Sequence, residues 1–213
     1  MLSCASMKAA TAERPSPHAQ PVLGLRARKQ TWTRDAIWDA AIDLFAEKGF
    51  DEVTIDEIAS SARVSRRSFF RYFASKNDLM ARPIADVMAG IARALDSCPT
   101  SASPGQTLDH VVVTLARESA ADPRNAKVMK LVMKSPAARE ALTSRLLAVQ
   151  GQIEKAFSRR FNDPLMVQTL SWLTVSALSV GTRQWFAHGR RDMAVSSRKA
   201  LSAIADVGRG LER

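Results

Sequence analysis

Three pairs of residues in the second half of the chain constrain its fold more than any other feature. Each pair joins a potential capping side chain to a proline: Asp122-Pro123, Ser135-Pro136 and Asp163-Pro164. This order is typical of a helix N-terminus, because proline at the first helical position lacks only an N–H that would have no partner there. With the loop "SCPTSASPGQ" at residues 97–106, the pairs predict helices over residues 106–121, 124–134, 136–160, 164–188 and 193–208.

The first half also has helical periodicity, in shorter segments. Thr33 is placed to cap a first helix, and the apolar residues that follow recur on one face. Thr54 and Glu57 form a capping-box pair for a second helix, and Ser65 caps a third that runs to about Phe73. These segments predict a unit of three short helices ahead of a unit of longer ones.

A second capping-box pair, Ser75 with Asp78, predicts the start of a longer helix after the third one. Pro83 lies inside that helix, where it should kink the helix or end it early. No stretch alternates at the period of a strand, so the predicted fold class is all-α.

Composition limits the functional classes. The chain has 213 residues, 46% of them hydrophobic, and a formal net charge of +10. Such a charge favours nucleic acid, anionic ligands or membrane surfaces as partners. Cys4 and Cys98 make no disulfide framework, and neither a signal peptide nor a membrane-spanning window is evident. We therefore expect a cytoplasmic, nucleoid-associated protein without a membrane partner.

The segment "VSRRSFFRYFASK", Val64 to Lys76, has four cations, four aromatic residues and no acid. In a helix, Phe69 and Phe73 share one face, whereas Arg67 and Arg71 lie about 200° away from Phe69. One face can therefore pack on the preceding helices while the other enters a DNA major groove, where arginine suits the edge of guanine. The segment thus predicts the second helix of a helix-turn-helix motif over residues 54–73.

These residues resemble the TetR family of bacterial transcriptional regulators. The likeness runs from Thr33 to about Leu79 and includes "LFAEKGFDEVTIDEIA" and "VSRRSFFRYFASKNDL", the latter in a form similar to actinobacterial regulators near mycofactocin genes. The resemblance implies a DNA-binding domain at residues 31–91 and a C-terminal helical domain at 92–213 for ligand binding and dimerisation. It further implies a homodimer that binds double-stranded DNA at a palindromic operator, and a small-molecule effector that releases the DNA.

The resemblance also implies which residues contact DNA: Thr54, Arg63, Ser65, Arg66, Arg67, Ser68, Phe70, Arg71, Tyr72 and Lys76. Thr54 and Lys76 match phosphate contacts of the family. Arg63 replaces the usual glycine of the turn, at a cost of ~1 kcal/mol if its backbone is left-handed. Phe70 lacks the hydroxyl of the usual tyrosine.

Residues 1–30 are predicted to be a flexible basic arm. Arg26, Arg28 and Lys29 in this arm either enter the minor groove or contact phosphates, or form a solvated basic tail.

The resemblance places the dimer interface in the predicted helices 164–188 and 193–208. Several residues could line an effector pocket or could equally be plain core: His110, Met129, Met133, Leu146, Phe157, Trp172 and Leu173. Arg124, Lys127, Lys130 and Lys134 could hold the phosphates of an anionic amphiphile such as an acyl-CoA, or could form a solvated face.

Other functions have less support. His18, His110 and His188 are far apart, and no carboxylate pair, glycine-rich phosphate loop or metal spacing accompanies them, so we expect no enzyme, cofactor or metal. An RNA-binding strand motif would need glycines that "RSFFRYF" lacks. Cys98 could be a redox sensor or an inert loop cysteine. An architectural or adaptor DNA-binding protein, or an activator, without an effector remains the alternative to a ligand-released repressor.

Overall fold

A computed structural model describes residues 25–189 and 192–211, and side chains over residues 28–189 and 192–210. Across these ranges the chain forms nine α-helices, a short 3-10 helix and no strand. The helices are α1 Leu25–Lys48, α2 Ile55–Ser61, α3 Arg66–Tyr72, α4 Ala81–Ser97, α5 Pro104–Ala121, α6 Pro123–Lys134, α7 Pro136–Phe157, α8 Pro164–Ala187 and α9 Met193–Leu211; the 3-10 helix is Asn77–Met80. The predicted all-α fold class is confirmed.

The capping pairs with proline begin helices as predicted. The side chains of Asp122, Ser135 and Asp163 each accept a hydrogen bond from a backbone N–H in the first turn of α6, α7 and α8. None of the ends predicted for the five helices of the second half is displaced by more than three residues.

The start of α1 differs from the prediction. The helix already begins at Leu25, so the predicted flexible arm is wrong over residues 25–30; residues 1–24 lie outside the described residues. Thr33 is inside α1, and its hydroxyl donates to the Lys29 carbonyl at 2.9 Å instead of capping the helix. Residues 28–32 of α1 are exposed, and the sequence there has no apolar stripe that would indicate a helix.

The turn between α2 and α3 has the predicted geometry. Arg63 has a φ of 54°, the left-handed backbone that makes glycine common at such a position. The Val64 N–H donates to the Ala59 carbonyl at 2.9 Å, which closes the turn and sets the direction of α3.

The segment after α3 forms a 3-10 helix before α4 begins. The Ser75 hydroxyl accepts from the Asp78 N–H at 3.2 Å, which is half of the predicted capping box, but the Asp78 carboxylate accepts from the Ala74 N–H at 3.1 Å and not from the Ser75 N–H. The 3-10 helix itself begins at Asn77 without a side-chain cap. The predicted kink or early end at Pro83 is wrong, because α4 begins at Ala81 and places Pro83 in a first turn that needs no intrahelical N–H. The same helix passes without a break through residue 91, where a domain boundary was expected.

Two large hydrophobic clusters form most of the core. The first joins α1, α2 and α3 and also includes Val128 and Leu131 of α6 and Ala138 and Ala141 of α7. The second lies among α4, α5, α7 and α8. Helix α6 and the start of α7 therefore belong to the same core as α1, α2 and α3, which together form the N-terminal module. A shift of α6 or α7 would move side chains that pack against this module.

Helices α8 and α9 approach each other closely at Gly181. A Cβ on Gly181 would lie 2.6 Å from the Ser197 Cα, so only glycine permits this crossing. By length and composition alone α8 could cross a membrane. Here it packs on α5, α7 and α9, and it keeps Leu165, Trp172 and Val180 exposed on its remaining side.

Candidate DNA interface and effector cavity

Helix α3 has one buried face and one exposed face. Phe69 and Phe73 are fully buried, with ring centroids 5.8 Å apart, and they join the core of α1 and α2. Arg66, Arg67 and Arg71 are exposed. The separation of apolar and cationic residues expected from helical geometry is confirmed.

The three exposed arginines differ in how they are held. Arg66 pairs with Asp56 of α2 at 2.5 Å. The Arg71 guanidinium lies 5.0 Å from the centroid of the Tyr72 ring and donates to its hydroxyl at 3.4 Å. Arg67 has no ion pair or hydrogen-bond partner among the residues with described side chains. It is therefore the cation on this face that is most available to another molecule.

Phe70 is an exposed aromatic residue between these groups. Its side chain is 44% exposed, and its ring meets Phe69 edge-on at 5.5 Å. The Arg66 guanidinium lies 5.5 Å from the Phe70 centroid, so the ring helps to hold that arginine in place. Phe70 thus has a positioning role that its missing hydroxyl did not suggest.

Lys76 ties the end of α3 to the loop between α1 and α2. Its ammonium donates to the carbonyls of Phe50, Asp51 and Val53 at 2.7, 3.1 and 3.1 Å, which uses all three donors. It also lies 4.9 Å from the Phe50 ring. This structural role was missed in the sequence, and the phosphate contact implied by the family stays a prediction.

The N-termini of α2 and α3 are capped by exposed hydroxyls. Thr54 accepts from the Glu57 N–H at 3.3 Å and donates to the Glu57 carboxylate at 2.9 Å. The Lys48 ammonium, and then the Thr54 N–H and hydroxyl, lower the pKa of Glu57 to about 2. Ser65 accepts from the Ser68 N–H at 3.1 Å. Both hydroxyls therefore lie where they can also meet a phosphate.

The start of α1 also carries exposed cations. Arg28 and Lys29 are exposed in this helix, while the Arg26 side chain lies outside the described part. Arg34, ten residues into α1, lies over the Phe73 ring at 5.6 Å, so α1 borders the end of α3 at that point. Trp32 of α1 is 72% exposed and was not singled out in the sequence.

Ion pairs join α1 to α4 and α6. Asp35 pairs with Arg82 at 2.6 Å, Asp39 with Arg124 at 3.6 Å and Asp43 with Lys127 at 2.5 Å. The three acids recur every four residues and so form one stripe of α1. Arg124 and Lys127, considered as phosphate ligands from the sequence, are thus engaged with α1.

A cavity of about 580 Å³ lies between α4, α5, α6, α7 and α8, and the start of α9 also contributes. Met129, Met133 and Leu146 line it, as the sequence suggested. The other four predicted pocket residues do not. Phe157 is fully buried in the second cluster, Leu173 packs against that cluster, Trp172 is 46% exposed, and His110 lines a different cleft. Helical periodicity could not separate residues around a cavity from residues in a filled core.

Comparisons with known proteins agree with this arrangement. The model for bacterial regulatory proteins of the tetR family matches residues 37–82, which span the second half of α1, all of α2 and α3, the 3-10 helix and the start of α4. A protein of Mycobacterium tuberculosis named as the mycofactocin biosynthesis transcriptional regulator MftR is 30% identical over 203 residues, covering 92% of this chain and 98% of that protein. The chain belongs to the TetR family.

Two further proteins extend the likeness of this TetR-family chain. The HTH-type transcriptional regulator TcmR of Streptomyces glaucescens is 25% identical over 210 residues, covering 93% of each chain. The crystal structure of Bacillus subtilis FadR in complex with stearoyl-CoA has a TM-score of 0.56 at 18% identity, covering 79% of this chain and 95% of that one. Such identity supports the shared fold, and the predicted DNA-binding transcriptional regulator with a helix-turn-helix motif is confirmed by the family.

The cleft that holds His110 is polar and separate from the cavity in this TetR-family chain. His110 Nε2 lies 3.0 Å from the Ser97 hydroxyl, and Asp109 pairs with Arg198 at 2.7 Å, which lowers the pKa of Asp109. Cys98 is buried beside it. Among the described residues no group of His, Cys, Asp or Glu side chains is arranged to hold a metal ion.

Proposed function

We propose that this TetR-family protein is a homodimeric repressor that binds a palindromic operator and is released by a small molecule. The observation that carries the proposal is the division of α3 into a buried Phe69–Phe73 face and an exposed arginine face. A helix held in this way can enter the major groove without losing its own packing. Such a regulator acts in the cytoplasm, at the nucleoid.

In this proposal the residues on α3 divide the work of DNA binding. Arg67 and Arg71 contact base edges, with Arg67 the less restrained of the two. Arg66, held by Asp56 and Phe70, is directed toward the DNA backbone. The remaining proposed DNA contacts are Thr54, Arg63, Ser65, Ser68, Phe70, Tyr72 and Lys76, with Arg26, Arg28 and Lys29 at the start of α1.

Dimerisation through α8 and α9 explains the apolar residues that this pair leaves exposed. Leu165, Trp172 and Val180 of α8 and Val195 and Val207 of α9 are all exposed in the single chain. Packing against the same helices of a second chain would bury them around a two-fold axis. The same axis would present two copies of α3 to two half-sites.

The cavity supports release by an effector with a large apolar part. Its volume lies within the range of small-molecule sites, and most of its lining is aliphatic. Bacillus subtilis FadR, of similar fold, was crystallised with stearoyl-CoA. We propose an effector of the same general class, an anionic amphiphile such as an acyl-CoA. The cavity is lined by α4 and α6, which pair with α1, and these contacts give the effector a route to the DNA-binding module.

The DNA-binding part of the proposal is tested by measuring affinity for a selected operator and for random DNA. Arg67→Ala and Arg71→Ala should each weaken operator binding by about 1–3 kcal/mol and affect random DNA much less. Arg159→Ala, which removes an exposed cation far along the chain, is the matched control. Equal losses on both DNAs would show that Arg67 contacts phosphate and does not read bases.

A further inference from the structure

The cavity has charged residues of one sign only. Arg139 of α7 and Arg183 of α8 are its charged lining residues, and no Asp or Glu lines it. Both arginines are exposed, so each lies where the cavity opens to solvent and not in its interior. A cavity whose charged lining groups are two guanidinium groups and no acid favours a negatively charged ligand.

Arg139 is held in position before any ligand arrives. Its Nε donates to the Val132 carbonyl at 3.2 Å and its Nη2 to the Met133 carbonyl at 3.1 Å, both in the last turn of α6. A guanidinium has five N–H donors, so three remain for another acceptor. A side chain already fixed in this way loses little entropy when it binds a ligand.

Arg183 has no ion pair or hydrogen bond to any residue whose side chain is described. The hydroxyl-bearing Thr143 and Ser179 are also exposed lining residues, on α7 and α8, the helices that carry the two arginines. By contrast, Val87, Ile91 and Leu115, supplied by α4 and α5, are apolar. The cavity therefore has a cationic opening and an apolar body.

We propose that Arg139 and Arg183 together bind the anionic head group, a carboxylate or a phosphate, of an effector whose hydrocarbon chain occupies the cavity. The inference rests on the proposed function, since it specifies how the effector is recognised. Arginine binds both head groups through paired N–H donors. The pair Arg139 and Arg183 takes the place of the cations considered from the sequence as phosphate ligands. None of those cations lines this cavity: Arg124, Lys127, Lys130 and Lys134.

The position of Arg139 also connects the head group to the DNA-binding module. Arg139 contacts the last turn of α6, and the first turns of α6 carry Arg124 and Lys127, which pair with α1. A head group that displaces the Arg139 side chain would therefore shift α6, the helix whose ion pairs hold α1. Release of DNA should require the charged head group as well as the chain.

The test compares ligands with the same chain and different head groups, each below its micelle concentration. Palmitate, hexadecyl phosphate, palmitoyl-CoA and the uncharged 1-hexadecanol are titrated by calorimetry into the full-length protein. The anionic ligands should bind about tenfold or more tightly than the alcohol, as expected for charge-assisted hydrogen bonds. The relative affinities of palmitate and the phosphates identify which anion the site prefers.

Variants assign the preference to the two arginines. Arg139→Ala and Arg183→Ala should each weaken the anionic ligands about tenfold and leave hexadecanol unchanged. Arg183→Glu should reverse the preference toward hexadecylamine. Arg159→Ala is the matched control and should change nothing. Because Arg183 borders the exposed face of α8, the mass of each variant in solution is measured by light scattering.

The outcomes separate this inference from the proposed function. If hexadecanol binds as tightly as the anions, if no anionic ligand binds, or if both alanine variants bind normally, the arginine site is overturned. Operator binding is measured on the same samples by fluorescence anisotropy. Release of DNA by hexadecanol would support an effector-released regulator without this site, whereas absence of operator binding before any ligand is added would contradict the proposed function itself.

Discussion

The DNA-binding module and the effector domain use apolar residues in different ways. In the module, Phe69, Phe73 and Leu79 are completely buried around α1, so α3 is held in one orientation. In the effector domain, residues such as Met129 and Leu146 are only half-buried and border a cavity of about 580 Å³. Close packing is therefore concentrated where the chain presents a fixed surface, and open space where the proposed effector would bind.

The two regions also use cations differently. On α3, Arg67 is left without a described partner and can meet DNA. Where the regions join, Arg82, Arg124 and Lys127 are each paired with an acid of α1. In a basic protein only some of the cations are available to bind another molecule, because others form internal ion pairs. Net charge alone does not distinguish the two groups.

One substitution in each region tests the contrast in packing. Leu79→Ala should lower the free energy of unfolding by about 3–5 kcal/mol, because it leaves a hole in a filled core. Leu146→Ala should cost clearly less, since that side chain already borders open space. Urea unfolding of both variants and the wild type measures the difference.

Equal losses of stability for the two leucine variants would contradict this contrast, because they would mean that the cavity is as well packed as the module. Leu147→Ala provides the control. Leu147 is the neighbour of Leu146 in α7 and is exposed, so its removal should change stability by less than about 0.5 kcal/mol.

A substitution of Lys76 should have a smaller effect on stability and tests whether this residue is structural or contacts phosphate. Lys76→Ala should lower the free energy of unfolding by about 1–3 kcal/mol, because three carbonyls lose a charged donor. A pure phosphate contact would leave stability unchanged and reduce the salt slope of DNA binding by about one unit. Unfolding and salt titration on the same variant distinguish the two, with Arg67→Ala as a control that should retain full stability.

Much of the fold could be predicted because its signals are local. Caps and prolines placed the starts of α6, α7 and α8 within one residue of the prediction, since the side chain and the turn it caps are adjacent in sequence. The start of α1 was missed for the converse reason: residues 25–33 have no apolar stripe, and Thr33, which resembles a cap, lies inside the helix.

The candidate sites depend on contacts between distant residues, and these were only partly predictable. The two faces of α3 follow from helical geometry alone. The cavity does not, because Phe157 and Leu146 lie on the same helix with similar periodicity, and only the packing of other helices separates them. The carbonyl partners of Lys76 are more than twenty residues away and leave no mark on the sequence around it.

The smallest effect concerns the capping box that begins α2 in the module. The pKa of Glu57 is lowered from 4.5 to about 2, first by the Lys48 ammonium and then by Thr54. A carboxylate with a lowered pKa stabilises the fold fully above its unfolded pKa. Its contribution declines as the pH falls from about 4.5 toward about 2 and is lost below that value.

Glu57→Gln should therefore be less stable than the wild type at neutral pH, and the difference should narrow in acid. Lys48 and Glu57 are substantially exposed, so solvent and salt screen the pair and the effect stays small. Thermal unfolding at several pH values checks this, with Glu140→Gln as a control at an exposed glutamate. If the difference in stability stays constant down to about pH 2, the charge of Glu57 does not contribute to the capping box. The glutamine would then destabilise α2 only through its poorer hydrogen-bond geometry.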